Sequence, residues 1–191
     1  MNASTSLLPP WRPLLKAAQH KEGRSPMSRW LQLATVTAEG CPRVRTLVFR
    51  GWRDGFTLEL LTDRRSAKSE ELSQDPRVEV CWLLPKARCQ FRFRGQALRL
   101  TPELQQRLEQ KHWERLHPEG RALWGWPPPG QALSLDSDFP LTIPDGAPTP
   151  SCFQLISLEI DRVDLLELTD TPHRRRCWSA ENGWQEIALN P

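Results

Sequence analysis

Apolar and polar positions alternate with a period of two in several short runs, the mark of strands with one buried face. Arg29 to Thr37 sets Leu31, Leu33 and Thr35 against Trp30, Gln32, Ala34 and Val36, and Ala38-Glu39-Gly40 turns the chain into Arg43 to Arg50. There Arg43, Arg45, Leu47 and Phe49 share one face, and Val44, Thr46, Val48 and Arg50 share the other. A tight turn over Gly51 to Gly55 leads to a strand at Phe56 to Leu61, and Arg77 to Leu84 reads as the next. In Arg88 to Leu100 the apolar Cys89, Phe91 and Phe93 keep phase until Gly95, after which Leu98 and Leu100 become the inward pair. A glycine at a phase slip predicts a bulge, and a bulged long strand lets a sheet curl into a barrel. Cys152 to Ile160, Val163 to Leu168 and His173 to Ser179 read as further strands, and Asn182-Gly183 predicts a two-residue hairpin into Trp184 to Leu189.

Helical spacing is confined to inserts. Trp11, Leu14, Leu15 and Ala18 mark one face of a helix from Trp11 to Lys21, ending near Gly23 to Pro26. Ser66 to Gln74 forms a short polar helix, stopped by Asp75-Pro76, whose free N–H groups point at Thr62 to Ser66. Thr101 caps a third helix with Pro102 at its first position, Leu104, Leu108 and His112 on one face, and an end near Leu116. Residues 1–10 form a loose terminus, and 125–150, with almost no periodicity, a long loop of the kind that is functional or disordered. The class is β-rich α+β, a partly closed barrel with peripheral helices, in one domain over 1–191.

Composition narrows the partners. The chain has 191 residues, 38% hydrophobic and 26% charged, with a net charge of +3, so small anionic ligands suit it at least as well as nucleic acid. No apolar run approaches the roughly 20 residues a bilayer needs, and no basic segment precedes an apolar one near position 1, so the expectation is a cytoplasmic protein without a membrane partner. Five widely spaced cysteines without C-x-x-C read as reduced thiols, and no metal site is expected, since His112 and His117 are misaligned on a helix. Nine tryptophans fall mostly at apolar-periodic positions, where they serve a core rather than a base-stacking platform.

The chemistry concentrates between Arg43 and Lys68. Thr62, Ser66, Lys68, Arg45 and Arg50 supply the hydroxyls and cations that hold a phosphate at a helix start, although a solvated charged turn would have the same composition. Arg45 and Arg50 leave on opposite faces unless a bulge intervenes, so a ligand reached by both lies at the strand's edge or end. Arg174-Arg175-Arg176 reads as an anion site, a nucleic-acid patch or a solvated strand face. Signatures of dinucleotide binding, P-loops, zinc proteases and serine hydrolases are all missing.

The segments LATVTAEGCPRVRTLVFRG, LLTDRRSAKSEELSQDPRVEVCW, ARCQFRFRGQALRL and RRCWSAENGWQEIALNP, in that order, resemble the pyridoxamine 5′-phosphate oxidase family of FMN-binding split barrels, and in particular its cyanobacterial-type branch. The resemblance implies FMN as cofactor, a homodimer with FMN at the interface, and a small-molecule substrate rather than nucleic acid. It places cofactor contacts on Arg45, Thr46, Leu47, Val48, Phe49 and Arg50, the phosphate corner on Leu61, Thr62, Ser66 and Lys68, and ring contacts on Gln90 and one of Arg174 to Arg176, with Arg175 favoured. Arg50 stands where the family usually has lysine, and Ala67 where it has arginine, so a phosphate contact is lost unless Arg64 or Arg65 reaches in. His112 and His173 fall on the substrate side, where His112, Leu116 or His117, and Gly120 replace the family's tyrosine, arginine and serine. The implied activity is oxidation of an amine or alcohol with dioxygen as acceptor; a flavin reductase-like enzyme using a nicotinamide donor, or a non-enzymatic binding module, are the alternatives.

Overall fold

The computed structural model describes residues 8–191. Positions 1–7 of the expected loose terminus lie outside the described residues; next to them Pro9 is buried and its carbonyl accepts from Arg12 N. The elements run α1 (Trp11–Glu22), β1 (Trp30–Val36), β2 (Pro42–Arg53), β3 (Thr57–Asp63), α2 (Ala67–Gln74), β4 (Arg77–Leu84), β5 (Cys89–Ala97), α3 (Pro102–Glu114), α4 (Pro118–Arg121), β6 (Phe153–Glu167), β7 (Arg174–Ser179) and β8 (Ile187–Leu189). The strands pair antiparallel in the order β3-β2-β1-β4-β5-β6-β7-β8, and a further β3–β6 pairing closes the first six into a ring.

Alternation fixes what lies inside. Leu31 and Leu33, Val80 and Trp82, Phe91 and Phe93, Leu58 and Leu60, and Leu158, Val163 and Leu165 fill the barrel, and α1 closes one end by inserting Trp11 and Leu15. Each fully buried large apolar side chain contributes about 1.5–3 kcal/mol. Strand β3 is buried on both faces because α3 covers its outer side, where Leu61, Trp113, Trp124, Phe153 and Leu155 make a second core. Glu22, at the end of α1, fastens the helix to the barrel by accepting from Lys86 N and Ala87 N, at 2.7 and 3.2 Å.

Four sequence expectations change. Strand β2 runs on to Arg53, β3 begins only at Thr57, and the turn contracts to residues 54–56, with positive φ at Asp54 and Gly55. The bulge expected on the long strand lies on its partner: Arg94 pairs with Arg162 and Gly95 with Ile160, leaving Asp161 as the extra residue of β6. Gly95 is the glycine opposite, where a Cβ would sit 2.0 Å from Glu159 O. Segments 152–160 and 163–168 are therefore one strand. The connection from β7 to β8 is longer than a two-residue hairpin, with register resuming at Cys177 and Ile187, and Asn182-Gly183 lies inside it at the end of a 3-10 turn.

The long loop follows α4 and a 3-10 turn at Ala122–Gly125, and part of it is tied down. Trp113 Nε1 donates to Ala147 O at 2.7 Å, and the buried Arg121 holds Asp145 at 2.7 Å. The span 130–141 instead exposes Leu133, Leu135 and Leu141. No helix among the described residues is long and apolar enough to cross a membrane.

Candidate functional site

The ring opens at one seam. Pairing between β2 and β3 stops at Phe49 and Leu60, while β2 continues along β1 as far as Pro42 opposite Val36. From Thr46 to Val48, β2 therefore has one edge without a strand partner. The end of β3, the turn Asp63–Arg65 and the start of α2 stand beside that gap. A glutamine-, serine- and glutamate-rich helix is held there because Leu72 alone reaches the core, while Glu71 turns toward β1.

At the head of α2 the polar side chains converge. Lys68 Nζ donates to Thr62 Oγ1 at 2.9 Å and to Ser66 Oγ at 2.8 Å, and among the described residues it has no carboxylate partner. Burial, and then the nearby Arg45 charge, pushes the ammonium below the ordinary lysine range. The Ser66 side chain does not cap the helix; its hydroxyl donates to Asp63 O at 2.6 Å, and while Ser69 N donates to Ser66 O at 2.9 Å, the N–H groups of Ala67 and Lys68 remain available. A half-buried cation with no carboxylate in ion-pair contact among the described residues, two hydroxyls and the amides of Ala67 and Lys68 form a donor set that fits a phosphate.

Arg45 reaches the same corner, with NH2 2.7 Å from Glu71 Oε2 and a hydrogen bond to the Thr35 hydroxyl. Neither Arg64 nor Arg65 replaces the cation lost at Ala67. Arg64 is spent on Ser151 O, Phe153 O and Glu109, and Arg65 on Asp63 and Trp126 O. Leu47 and Phe49 pack against the barrel core and Leu61 in the second core, so these three present backbone rather than side chains to the seam. Thr46 and Val48 face outward.

Gln90 and Arg175 share the outer face of the sheet. Gln90 pairs with Leu166 and Leu166 with Arg175, which puts the two side chains on one face about 10 Å apart, two strand spacings. Arg174 and Arg176 have the opposite phase; Arg176 is bound to Glu167 and Glu186. The register thus singles out Arg175 from its two neighbours. Its guanidinium is held by Asp164 Oδ1 at 3.1 and 3.2 Å, a partner that alternation alone could not indicate because it depends on how β7 is registered against β6. Glu71 went unrecognised for a similar reason: a helix acid acquires its meaning only when the helix docks.

Two expected residues sit elsewhere. His112 is buried beneath α3 with Nε2 2.9 Å from Glu59 Oε2, a contact inside the protein, because its helix lays that face on β3. Arg50 is the extra residue of the β2 bulge and turns away from the Lys68 corner toward Arg29, Lys16 and His20 at the end of α1. His173 is exposed at the β6–β7 turn, with Nδ1 2.9 Å from Asp170 O. Among the described residues no group of three or more His, Cys, Asp and Glu side chains is arranged to hold a metal.

Residues 8–101 match the family model described as pyridoxamine 5′-phosphate oxidase, FMN-binding domain. The chain is 31% identical to pyridoxine/pyridoxamine 5′-phosphate oxidase 2 of Arabidopsis thaliana over 90% of this chain and 95% of that protein. It belongs to the pyridoxamine 5′-phosphate oxidase family. A pyridoxamine 5′-phosphate oxidase-related, FMN-binding protein of Nostoc punctiforme superposes with a TM-score of 0.88 at 34% identity, covering 97% of this chain and 100% of that one. The oxidase of Pseudomonas fluorescens strain Pf0-1 is 32% identical over 52% of this chain, which spans only 43% of that protein's length. PhzG from Burkholderia lata, at 21% identity and a TM-score of 0.71 over 94% of this chain and 89% of that one, shares the fold. The barrel is the family's split barrel, and FMN is the cofactor of the matched domain.

Proposed function

We propose that this member of the family is an FMN-dependent oxidase that removes a hydride equivalent from a small amine or alcohol. The observation that carries the reading is Lys68, a cation enclosed by two hydroxyls and left without a carboxylate at the head of α2. FMN supplies the redox chemistry when bound, taking electrons from the substrate and passing them to dioxygen. Lys68 neutralises its phosphate, with Arg45 beside it held by Glu71, and Thr62, Ser66 and the amides of Ala67 and Lys68 complete the cradle. The free edge of β2 at Thr46 to Phe49, with Leu61 opposite, offers backbone groups to the rest of the cofactor. Gln90 and Arg175 hydrogen-bond the ring, and the exposed His173 stands on the substrate side. No side chain is required as a nucleophile.

The same reading makes the protein a homodimer. Trp30, Val44 and Leu83 are 45%, 69% and 39% exposed on strands β1, β2 and β4, on the face that also carries Gln90. An apolar row beside polar ligand-binding groups suits a second copy that encloses the cofactor.

The test is direct. The purified protein, supplied with FMN, shows a flavin absorption spectrum and the mass of a dimer in light scattering, and Lys68→Ala loses the colour. Turnover with pyridoxamine 5′-phosphate then yields aldehyde and hydrogen peroxide. Flavin reduction by NADPH without peroxide-linked aldehyde formation would instead favour a reductase, and a colourless monomer would remove the proposal.

A further inference from the structure

Asp164 lies on β6 among three arginines from three strands. Its Oδ1 accepts from Arg175 Nε and NH2 at 3.2 and 3.1 Å, its Oδ2 from Arg162 Nε at 3.2 Å, and Arg92 NH2 stands 3.7 Å from Oδ1. The Asp164 side chain is 12% exposed, and for Arg175 it is the sole ion-pair partner among the described residues. Glu79, the nearest other acid of this face, forms no ion pair among the described residues, and burial raises its carboxyl above the usual glutamate range. One buried carboxylate thus anchors several guanidinium groups.

A structural brace would not need this arrangement. β6 and β7 are already joined by backbone pairing from Arg162 opposite Ser179 to Glu167 opposite Arg174, and buried Trp178 and Val163 pack on the inner side. Asp164 spends two hydrogen bonds on a single side chain whose tip remains partly exposed, on the face shared with Gln90. The Nε and NH2 groups converge on the single oxygen Oδ1, which sets the edge of the guanidinium that faces Asp164 and leaves the NH1 edge pointing away from it. The remaining N–H groups then point in a set direction.

We infer that Asp164 is a positioning residue: it orients Arg175 toward the cofactor and holds the guanidinium with its outward N–H groups free. This rests on the proposed contact between Arg175 and FMN. Arg162 and Arg92 share the carboxylate, which limits how much of the Arg175 charge Asp164 cancels. The site therefore keeps a net positive charge next to Gln90 while losing the mobility of a long side chain.

The experiment is a double-mutant cycle on the FMN-loaded protein, with FMN affinity and the flavin absorption spectrum as readouts. Asp164→Asn is expected to weaken FMN binding about tenfold or more, the scale of a charge-assisted hydrogen bond, and to shift the spectrum. The same change in an Arg175→Gln background is expected to add little. Asp164→Glu restores part of the affinity, and Arg162→Gln, which leaves the Arg175 contact in place, has little effect. Equal losses from Asp164→Asn in both backgrounds, or a lower melting temperature with unchanged FMN affinity and spectrum, would overturn the inference. Wild-type protein that binds no FMN overturns the cofactor reading first. Wild-type binding that is insensitive to Arg175→Gln overturns only this one.

Discussion

His112 Nε2 lies 2.9 Å from Glu59 Oε2, and this contact pins the last turn of α3 to the outer face of β3. Arg53 Nε holds the other oxygen of the same carboxylate at 3.2 Å, so Glu59 stays paired when the histidine is removed. His112→Ala should therefore cost about 2 kcal/mol, from a lost buried hydrogen bond and a small cavity. Urea unfolding of the FMN-free protein measures that loss. FMN titration of the same variant should show an affinity within about twofold of wild type, since α3 stands on the far side of β3 from the seam.

The same carboxylate gives the fold an acid limit. Burial works against ionisation of Glu59, but the hydrogen bonds and charges of His112 and Arg53 outweigh it and hold the group below the usual glutamate range. A carboxyl whose folded pKa is depressed contributes stability that is present above its unfolded value, about 4.3, and is lost as pH falls through the folded value. Thermal melts between pH 6 and pH 3, with buffer pH as the variable, should show a steep decline below about pH 4.3 that is shallower in Glu59→Gln, although that variant starts from a lower plateau.

Gly95 faces a bulged strand whose backbone stands in the way of any side chain. A Cβ at that position would meet Glu159 O at 2.0 Å, and backbone on both strands is fixed by pairing. Gly95→Ala should destabilise the protein by about 3 kcal/mol or abolish soluble expression. Gly130→Ala serves as the comparison, because nothing lies within 4 Å of its Cβ, and only the strain of its positive φ applies.

Ala67 is exposed at the first position of α2, one residue before Lys68, where the family pattern has an arginine. Arg64 and Arg65 are committed to other partners. Ala67→Arg should tighten FMN binding about three- to tenfold, as expected for one exposed charge-assisted contact. Fluorescence quenching on titration of FMN-free protein reads the change, and an unaltered or weaker affinity would show that the phosphate does not occupy the head of α2.

Much of the barrel was legible because alternation is a local property. Leu31 and Leu33, Val80 and Trp82, and Phe91 and Phe93 all face inward as their phase requires. The bulge was legible only as a disturbance: a slip in β5 near Gly95 signals that something is irregular there, but the extra residue belongs to whichever strand the register assigns it, and that strand is β6. The meeting of Thr62, Ser66 and Lys68 was readable because they are six positions apart at most and fall at a strand-to-helix turn. The surroundings of Arg50, His112 and Asp164 were not, since what each side chain faces lies on α1, β3 and β7. A lone histidine on a helix face carries no mark of the acid that will meet it.

Strand β6 changes neighbours part-way along its length. Up to Glu159 one edge pairs with β3 and completes the ring; from Arg162 onward that edge pairs with β7, and Asp161 sits at the changeover. The hairpin that carries Arg175 is consequently spliced onto the very strand that shuts the barrel, with no hinge of its own. Removal of residues 169–191 would leave the ring's own pairings in place yet bare the edge of β6 from Arg162 to Glu167, a template on which a strand of another chain can pair.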